Sequence, residues 1–399
     1  MSKARLVITA VVVEGRKPTE VAEAYGVSRS WLYELLARWI SRGELQDPTD
    51  HAREQTWLVD PRAKCDRQAR LRRSVHCTED GLMRVHRAHP SEIDAVIAMP
   101  VGPGVLGMTK EALRAEFDAG RMRPEWTWVA VDDEDRIVGR ALWWGRDGSA
   151  PIALDVLDTV GHVTSSIDIG SGLLRAGHDA LAADGYGSPL PHTVRLPMGW
   201  RDRPTCIDAV EWRTRAAAGA GLTQVNERLQ VEWSADDLAS TSPDPSTSRF
   251  TLRSGTDEEF LDLFVQAARG SLDVMTQRSL AATSVEETAQ DDLDFYLSCP
   301  GERDWWRVAV NSSRDRIGFV IPSATPYARN VGYLGVLPEH RGQGHVDKLV
   351  TYVTQFHQAA GATRITATTD AVNRPMAAAF ARNGYRTVET RIDLEAPAG

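Results

Sequence analysis

The chain has 399 residues, of which 42% are hydrophobic and 25% are charged, which is typical of a soluble globular protein. This length favours two or three domains over a single core. The net charge of −9 argues against a protein whose whole surface binds a polyanion. The four cysteines lie far apart without metal-ligand spacing, so we expect reduced thiols in a cytoplasmic protein and no metal site.

An apolar run near the N-terminus covers residues 6–13 and is ended by charged residues. It is far shorter than the ~20 residues that span a bilayer, and no small-residue cleavage site follows it. We therefore expect neither a signal peptide nor a membrane contact.

Residues 1–44 are predicted to form three helices, with Thr19 and Ser28 as caps and a turn at Gly26. This segment resembles the N-terminal helix-turn-helix domain of insertion-sequence transposases. The resemblance places four residues in the major groove of DNA: Arg29, Ser30, Trp31 and Tyr33. It stops near Glu44, and the chain is acidic, so we interpret the segment as a fusion remnant and regard DNA binding as the lesser expectation.

The next stretch, residues 45–82, is polar and aperiodic and is predicted to be a linker. Residues 83–239 then alternate between strand and helix patterns. We predict strands at 84–88, 127–131, 136–143, 152–156 and 194–196, helices at 91–98, 110–119 and 170–184, and a final helix and strand ending near 233. A second linker is predicted at residues 240–248, which are rich in Ser, Thr, Pro and Asp.

Residues 249–399 repeat the same order of elements. We predict strands at 250–253, 305–311, 316–321, 331–337, 364–368 and 385–394, and helices beginning at 257 and covering 286–297, 344–360 and 374–383. The shared order suggests that one α/β unit was duplicated.

The most informative segment runs from an apolar strand, through a glycine loop, into a long amphipathic helix. Gly342 and Gly344 let the backbone approach a bulky ligand, and Arg341 adds a cation. The N-terminus of the following helix presents unpaired N–H groups and a positive dipole end, which suit a phosphate group. Alternatively, the glycines only shape a tight turn.

Two signatures in this segment resemble those of the GCN5-related N-acetyltransferase (GNAT) superfamily. The first is Gln/Arg-x-x-Gly-x-Gly/Ala, which residues 341–346 fit except at Val346. The second is an Asn followed by an aromatic residue and a Gly-aromatic pair, here Asn373, Phe380 and Gly384-Tyr385. The resemblance implies an α/β (α+β) fold class, with tandem GNAT folds that are each a mixed, mostly antiparallel sheet with flanking helices, after a small all-α helix-turn-helix.

The resemblance also implies acetyl-CoA as co-substrate and assigns residues to it. The backbone of Leu334, Gly335 and Val336 would bind the pantetheine arm, with the Val336 N–H polarising the acetyl carbonyl. Asn373 would contact the cofactor near the thioester, although it is also suited to cap the following helix. The pyrophosphate would lie on the loop and first helical turn formed by Arg341, Gly342, Gln343, Gly344, His345, Val346 and Asp347.

The catalytic groups are less well defined by the sequence. Where many family members have a Tyr that protonates the leaving thiolate, this chain has Phe380, which has no proton to donate. Candidate bases for the incoming amine are Asp370, Glu339 and Tyr333. The two carboxylates are alternatively solvated loop residues.

The matching position of the first half, residues 164–172, lacks an Arg or Gln before its glycines, and Asp168 adds a negative charge. We therefore expect that this half has lost the cofactor and serves as scaffold, as in other tandem members of the superfamily. Our main prediction is an acetyltransferase acting on the primary amine of a small molecule. The alternative is a DNA-binding regulator that uses the fold as an acyl-CoA sensor. The acceptor and the oligomeric state are not predicted.

Overall fold

The computed structural model describes residues 74–78, 81–146, 148–187, 189–237 and 250–397, together with Val21 and Ala24. The predicted helix-turn-helix, including Arg29, Ser30, Trp31 and Tyr33, lies outside the described residues apart from Val21 and Ala24, which are helical. In the part described, no helix is long and apolar enough to cross a membrane.

The described residues from Ser74 onward form one compact unit built on a 13-stranded sheet. Its strands are β1 (Ser74–Thr78), β2 (Gly81–Arg87), β3 (Thr127–Val131), β4 (Ile137–Trp144), β5 (Ala153–Thr159), β6 (His192–Leu196), β7 (Gln224–Ser234), β8 (Thr251–Arg253), β9 (Arg307–Val310), β10 (Arg316–Ala324), β11 (Arg329–Val336), β12 (Arg364–Asp370) and β13 (Arg386–Glu395). Their spatial order is β1-β2-β3-β4-β5-β6-β13-β7-β12-β11-β10-β9-β8.

The helices are α1 (Ile93–Ala98), α2 (Lys110–Asp118), α3 (Val163–Ala183), α4 (Pro204–Gly219), α5 (Asp257–Ala268), α6 (Val274–Ala282), α7 (Val285–Ser298), α8 (His345–Ala359) and α9 (Arg374–Arg382). They cover both faces of the sheet and enclose separate apolar clusters. In the first half, α3 and α4 pack against one cluster and α1 against another. In the second half, α8 and α9 line one cluster while α5 and α7 line the other.

The sheet is mostly antiparallel, with parallel pairing only at β5–β6 and β11–β12 among the described strands. The predicted fold class, a mixed, mostly antiparallel sheet with flanking helices, is confirmed for this part of the chain.

The two halves exchange their last strands. Strand β7 of the first half lies between β12 and β13 of the second, and β13 lies between β6 and β7 of the first. The exchange is extensive, because the β13–β7 ladder runs from Arg386 opposite Glu232 to Glu395 opposite Gln224. Each half is therefore completed by a strand from the other, which the order of elements along the sequence did not reveal.

Three sequence predictions need correction. Strand β1 lies inside the predicted linker 45–82. Helix α6 lies between the predicted helices at 257 and 286–297, where no separate element was predicted, and Asp273 caps it by accepting a hydrogen bond from Thr276 N at 2.8 Å. Helix α3 begins at Val163, seven positions before the predicted start at Gly170.

The glycines of α3 explain that last difference. A Cβ on Gly170 would lie 3.0 Å from Ala216 Cβ, and one on Gly177 would lie 2.1 Å from the Trp143 ring. These glycines are therefore packing positions inside a helix, and residues 164–172 are not a strand-to-helix loop. Asp168 is an exposed residue of this helix.

Candidate active site

The second half contains an open wedge between β11 and β12. The two parallel strands pair only at Arg329 with Ile365 and at Asn330 with Thr366. Beyond these pairs β11 continues to Val336 and β12 to Asp370 without a shared ladder. Because the opposite edge of each strand is paired with β10 or β7, the wedge leaves one backbone edge of each strand open.

The open edge of β11 carries the N–H of Val336. On the other side of the strand, the Leu337 N–H donates to Ile317 O at 2.8 Å. Successive N–H groups along an extended strand point to opposite edges, so the N–H of Val336 points into the wedge, as does that of Leu334. Between them, Gly335 is required for packing, since a Cβ there would lie 2.7 Å from the Phe319 ring.

The loop that follows β11 needs glycine for its backbone conformation. Gly342 has φ of 75° and Gly344, the N-terminal cap of α8, has φ of 76°. A Cβ at either position would meet no atom within 4 Å, so neither glycine is required by packing. The positive φ of both residues also agrees with the alternative that the glycines only shape a tight turn, and that alternative stays open.

The amides of this loop are available to a ligand. The N–H groups of Gly342, Gln343, Gly344, His345 and Val346 donate to no backbone or side-chain acceptor within the described residues. Asp347 differs, because its N–H donates to Gly344 O at 3.2 Å. Unpaired amides at the start of a 15-residue helix are suited to an anion, and the anion site expected from the sequence stays a prediction for residues 342 to 346.

Arg341 has a different role from the one its charge suggested. Its Nε donates to Val336 O at 3.0 Å, and its Nη atoms donate to Ala267 O, Arg269 O and Gly270 O at 2.8, 3.1 and 2.9 Å. The guanidinium thus ties the loop to β11 and to the C-terminal end of α5. It shapes the loop and is not a free cation.

The side chains of the first helical turn are also engaged. Asp347 accepts from Arg382 Nε at 2.8 Å and so joins the start of α8 to the end of α9. His345 lies beside Phe250, and burial, followed by the nearby cations His340 and Lys348, lowers its pKa. Gln343 donates to Glu339 O at 3.3 Å, and Val346 packs against the apolar cluster under α8.

Two residues from the other side of the wedge hold local structure. Asn373 caps α9 by accepting from Met376 N at 3.3 Å. Asp370 is 1% exposed and accepts from Val274 N at 2.6 Å and from Asn226 Nδ2 at 3.0 Å. Its carboxylate therefore holds the N-terminus of α6 at the end of β12. Because both of its oxygens already accept hydrogen bonds, the carboxylate is poorly suited to act as a base.

The other two candidate bases differ in environment. Glu339 is exposed in the turn after β11. Tyr333 stacks on Tyr296, with ring centroids 5.0 Å apart, and burial raises its pKa far above the usual range of a phenol. At neutral pH Tyr333 therefore keeps its proton, which suits a donor better than a base. Phe380 is buried against Tyr385 in the core under α8 and α9.

Asp292 on α7 is a titratable group that the sequence analysis missed. Burial, followed by the negative charges of Asp273 and Asp291, raises its pKa to about 6. Its charge contributes to the raised pKa of Tyr333, so the carboxylate lies near that phenol on β11. The sequence offered no signal for it, because it is one of several acids on an amphipathic helix. Among the described residues, no group of His, Cys, Asp and Glu side chains forms a metal site.

The corresponding wedge of the first half is filled. Strands β5 and β6 pair only at Leu154 with His192, but Leu106 N donates to Arg195 O at 2.8 Å across the opening. Below it, Asp158 accepts from Arg140 Nη2 at 2.7 Å and Arg213 Nη2 at 3.2 Å, a buried ionic cluster. The plugged wedge and the helical glycine segment agree with the expectation that this half has lost the cofactor, which stays a prediction.

One family model matches part of the second half. Residues 277–385 match the model of the acetyltransferase (GNAT) family, and this range includes the wedge, the glycine loop and α9. These residues are therefore similar to a GNAT acetyltransferase domain. The protein is accordingly an acetyltransferase enzyme, and the coarse prediction from the loop and the second signature is confirmed.

The solved structures to which this chain is similar are distant in sequence. A GCN5-related N-acetyltransferase from Sphaerobacter thermophilus shares 16% identity, with a TM-score of 0.49 over 79% of this chain and 96% of that one. A GNAT-family acetyltransferase from Colwellia psychrerythraea shares 11%, with a TM-score of 0.39 over 79% and 99%. A tandem GNAT protein from the clavulanic acid biosynthesis pathway shares 19%, with a TM-score of 0.37 over 68% and 83%. No match to a curated protein was found.

Proposed function

We propose that the second half transfers an acetyl group from acetyl-CoA to a primary amine of a small molecule. The observation that carries this proposal is the row of unpaired amides from Gly342 to Val346, beside the open edge of β11. A diphosphate needs several fixed N–H donors, and a thioester arm needs an extended strand with a free edge. Both requirements are met by adjacent segments of this chain.

Acetyl-CoA supplies an activated acetyl group when it is bound. The amides of residues 342–346 are the groups that would hold its pyrophosphate, and the open backbone edges of Leu334 and Val336 would hold its arm. The Val336 N–H is a fixed donor in the wedge, where it would stabilise negative charge that develops on a carbonyl oxygen. Asn373 lies at the end of the same wedge and remains a proposed contact.

The proton of the incoming ammonium requires an acceptor. We assign this role to Asp292, because its pKa of about 6 lets it be ionised at neutral pH while still binding a proton readily. The protonated phenol of Tyr333 is the proposed donor toward the leaving thiolate, a role that Phe380 cannot fill. Glu339 and Asp370 are the lesser candidates, the first exposed and the second fully hydrogen bonded.

The domain assignment is part of the same proposal. We interpret residues 83–239 as a GNAT-like half without a cofactor, residues 249–399 as the transferase, and residues 1–44 as a helix-turn-helix remnant in a cytoplasmic enzyme. The regulator alternative depends on residues 1–44, which lie outside the described residues apart from Val21 and Ala24.

Calorimetry with acetyl-CoA, followed by thiol release with a panel of primary amines, tests the proposed function. We expect saturable binding of acetyl-CoA and release of coenzyme A that depends on one class of amine. Binding without turnover on any amine, together with salt-sensitive binding to a defined DNA site, would support the regulator. Absence of acetyl-CoA binding would contradict both functions.

A further inference from the structure

The exchange of strands creates a row of arginines across the centre of the sheet. Arg228 on β7, Arg391 on β13 and Arg195 on β6 occupy directly opposed positions. We call these three residues the arginine ladder. Like charges at directly opposed positions destabilise a sheet. Arg195 and Arg228 belong to the first half, and Arg391 belongs to the second. The three residues are neighbours only because the strands are exchanged.

Carboxylates lie near every member of the ladder and balance its charge, and Asp155 is close to Arg195 and Arg391, but these acids leave several hydrogen-bond donors unused. Glu389 accepts from Arg195 Nη2 at 2.9 Å and from Arg391 Nε at 2.6 Å. Arg228 lies 3.3 Å from Asp370 and 3.8 Å from Asp393, yet its Nε is buried without a hydrogen-bond acceptor.

Most donors of the ladder are therefore available. Each guanidinium has five N–H donors in a planar fork. Arg195 Nη1, both Nη atoms of Arg391 and all three nitrogens of Arg228 donate to no acceptor in the described part of the chain. The side chains are 36%, 31% and 31% exposed for Arg195, Arg228 and Arg391, so a small anion can reach them.

The ladder lies beside the mouth of the wedge. Arg228 is directly opposite Asp370, the last residue of β12. Since neighbouring strands are ~4.8 Å apart, Arg228 lies about 5 Å and Arg391 about 10 Å from β12 along the sheet. Helix α6 borders the arginine ladder. Its Arg278 Nη2 donates to Val225 O on β7 at 3.0 Å, and Asp370 accepts a hydrogen bond from the N-terminus of the helix.

We propose that the arginine ladder binds the carboxylate of the acceptor and that the enzyme therefore acetylates amines that also carry a carboxylate. This inference rests on the proposed function, since the ladder orients the acceptor toward the same wedge. Forked guanidinium donors match a carboxylate in bidentate geometry. The separation between β12 and the ladder suits an amine and a carboxylate several bonds apart, as in an ω-amino acid or a short peptide.

The test compares matched amines by calorimetry on the full chain with coenzyme A present. The probes are 4-aminobutanoate, 6-aminohexanoate and glycylglycine, with 1-aminohexane as the amine without a carboxylate. We expect at least one carboxylate-bearing probe to bind ~10-fold or more tightly than 1-aminohexane. Arg391→Gln and Arg228→Gln should each weaken that binding ~10-fold or more.

The control is Arg364→Gln, which removes an exposed arginine of β12 that pairs with Glu232 away from the wedge. It should leave the affinity for the carboxylate-bearing probe unchanged. Thermal unfolding of all variants shows whether they are folded, which matters most for Arg228→Gln because it removes the ion pairs with Asp370 and Asp393. Equal affinity for 1-aminohexane, or equal affinity in the ladder variants and the control, would overturn the proposal. Because coenzyme A binding is measured separately in the same protein, its loss would instead count against the proposed function.

Discussion

The pKa of Asp292, raised to about 6 mainly by burial, gives the site a testable dependence on pH. If this carboxylate takes up the amine proton, kcat/KM should fall about tenfold per pH unit below about pH 6. Asp292→Asn should lower kcat/KM by ~10²–10⁴ and remove that limb of the profile. The control is Asp294→Asn, which changes an exposed acid on the same helix and should keep the profile.

The same residue has a predictable effect on stability, with a defined sign. Its pKa in the folded chain lies above its ordinary value of 3.8, so ionised Asp292 destabilises the fold as pH rises between these values. Asp292→Asn should therefore raise the unfolding temperature at neutral pH and have little effect near pH 4. A loss of stability at both pH values would contradict the assigned environment.

The sequence predicted which residues lie at the candidate cofactor site, but it did not predict what several of these residues contact. The two glycines were recognised because their spacing is local and their positive φ leaves a clear signature. Arg341 was expected to meet a phosphate, yet its four acceptor carbonyls include three at the C-terminal end of α5, more than 70 positions away in the chain. Such long-range partners, like those of Asp370 and Asp292, are set by packing and leave no local pattern.

Among the secondary-structure elements, prediction worked where periodicity was strong. Helices α7, α8 and α9 were predicted within two residues of their observed ends, because capping residues and apolar spacing agreed. Helix α6 was missed since it is short and buries only Thr276. The predicted helix α3 began too late, because its glycines resembled a loop. In the structure these glycines allow a neighbouring helix and a strand to pack closely against α3.

This reading of α3 predicts that Gly177→Ala destabilises the protein. The added Cβ would lie 2.1 Å from the Trp143 ring, and that ring is fully buried. Overpacking of this kind costs ~1–3 kcal/mol in free energy of unfolding, which denaturant titration measures. Gly187→Ala is the matched control, because a Cβ there would meet no atom within 4 Å. Equal stability of the two variants would show that α3 does not pack as described.

For the molecule as a whole, the exchange of β7 and β13 means that neither half has a complete sheet without the other. The sequence showed the duplicated order of elements, but order along the chain does not specify which strands pair over long distances. The exchange also joins the first half to the second through continuous backbone ladders, so the first half is a structural partner of the candidate site.

This arrangement predicts the outcome of cutting the chain between residues 237 and 250 at an inserted protease site. The two pieces should remain a one-to-one complex in size-exclusion chromatography, since β13 keeps both of its neighbours. Residues 250–399 expressed alone should be insoluble or unfolded, because β12 and β13 each lose a paired strand. A stable, folded and monomeric second half would contradict the exchanged topology.

The central claim, that the amides from Gly342 to Val346 hold the diphosphate of acetyl-CoA, is tested most directly by comparing two glycine variants. Gly344 and Gly361 both have positive φ, 76° and 83°, and a Cβ on either would meet no atom within 4 Å. Gly344→Ala and Gly361→Ala should therefore each lose ~1 kcal/mol of stability from the same backbone strain.

Gly361 lies past the far end of α8, so only Gly344→Ala places a methyl group among the loop amides. Calorimetry should show acetyl-CoA binding about tenfold weaker or more in Gly344→Ala and unchanged in Gly361→Ala. Equal dissociation constants in the two variants would contradict the account.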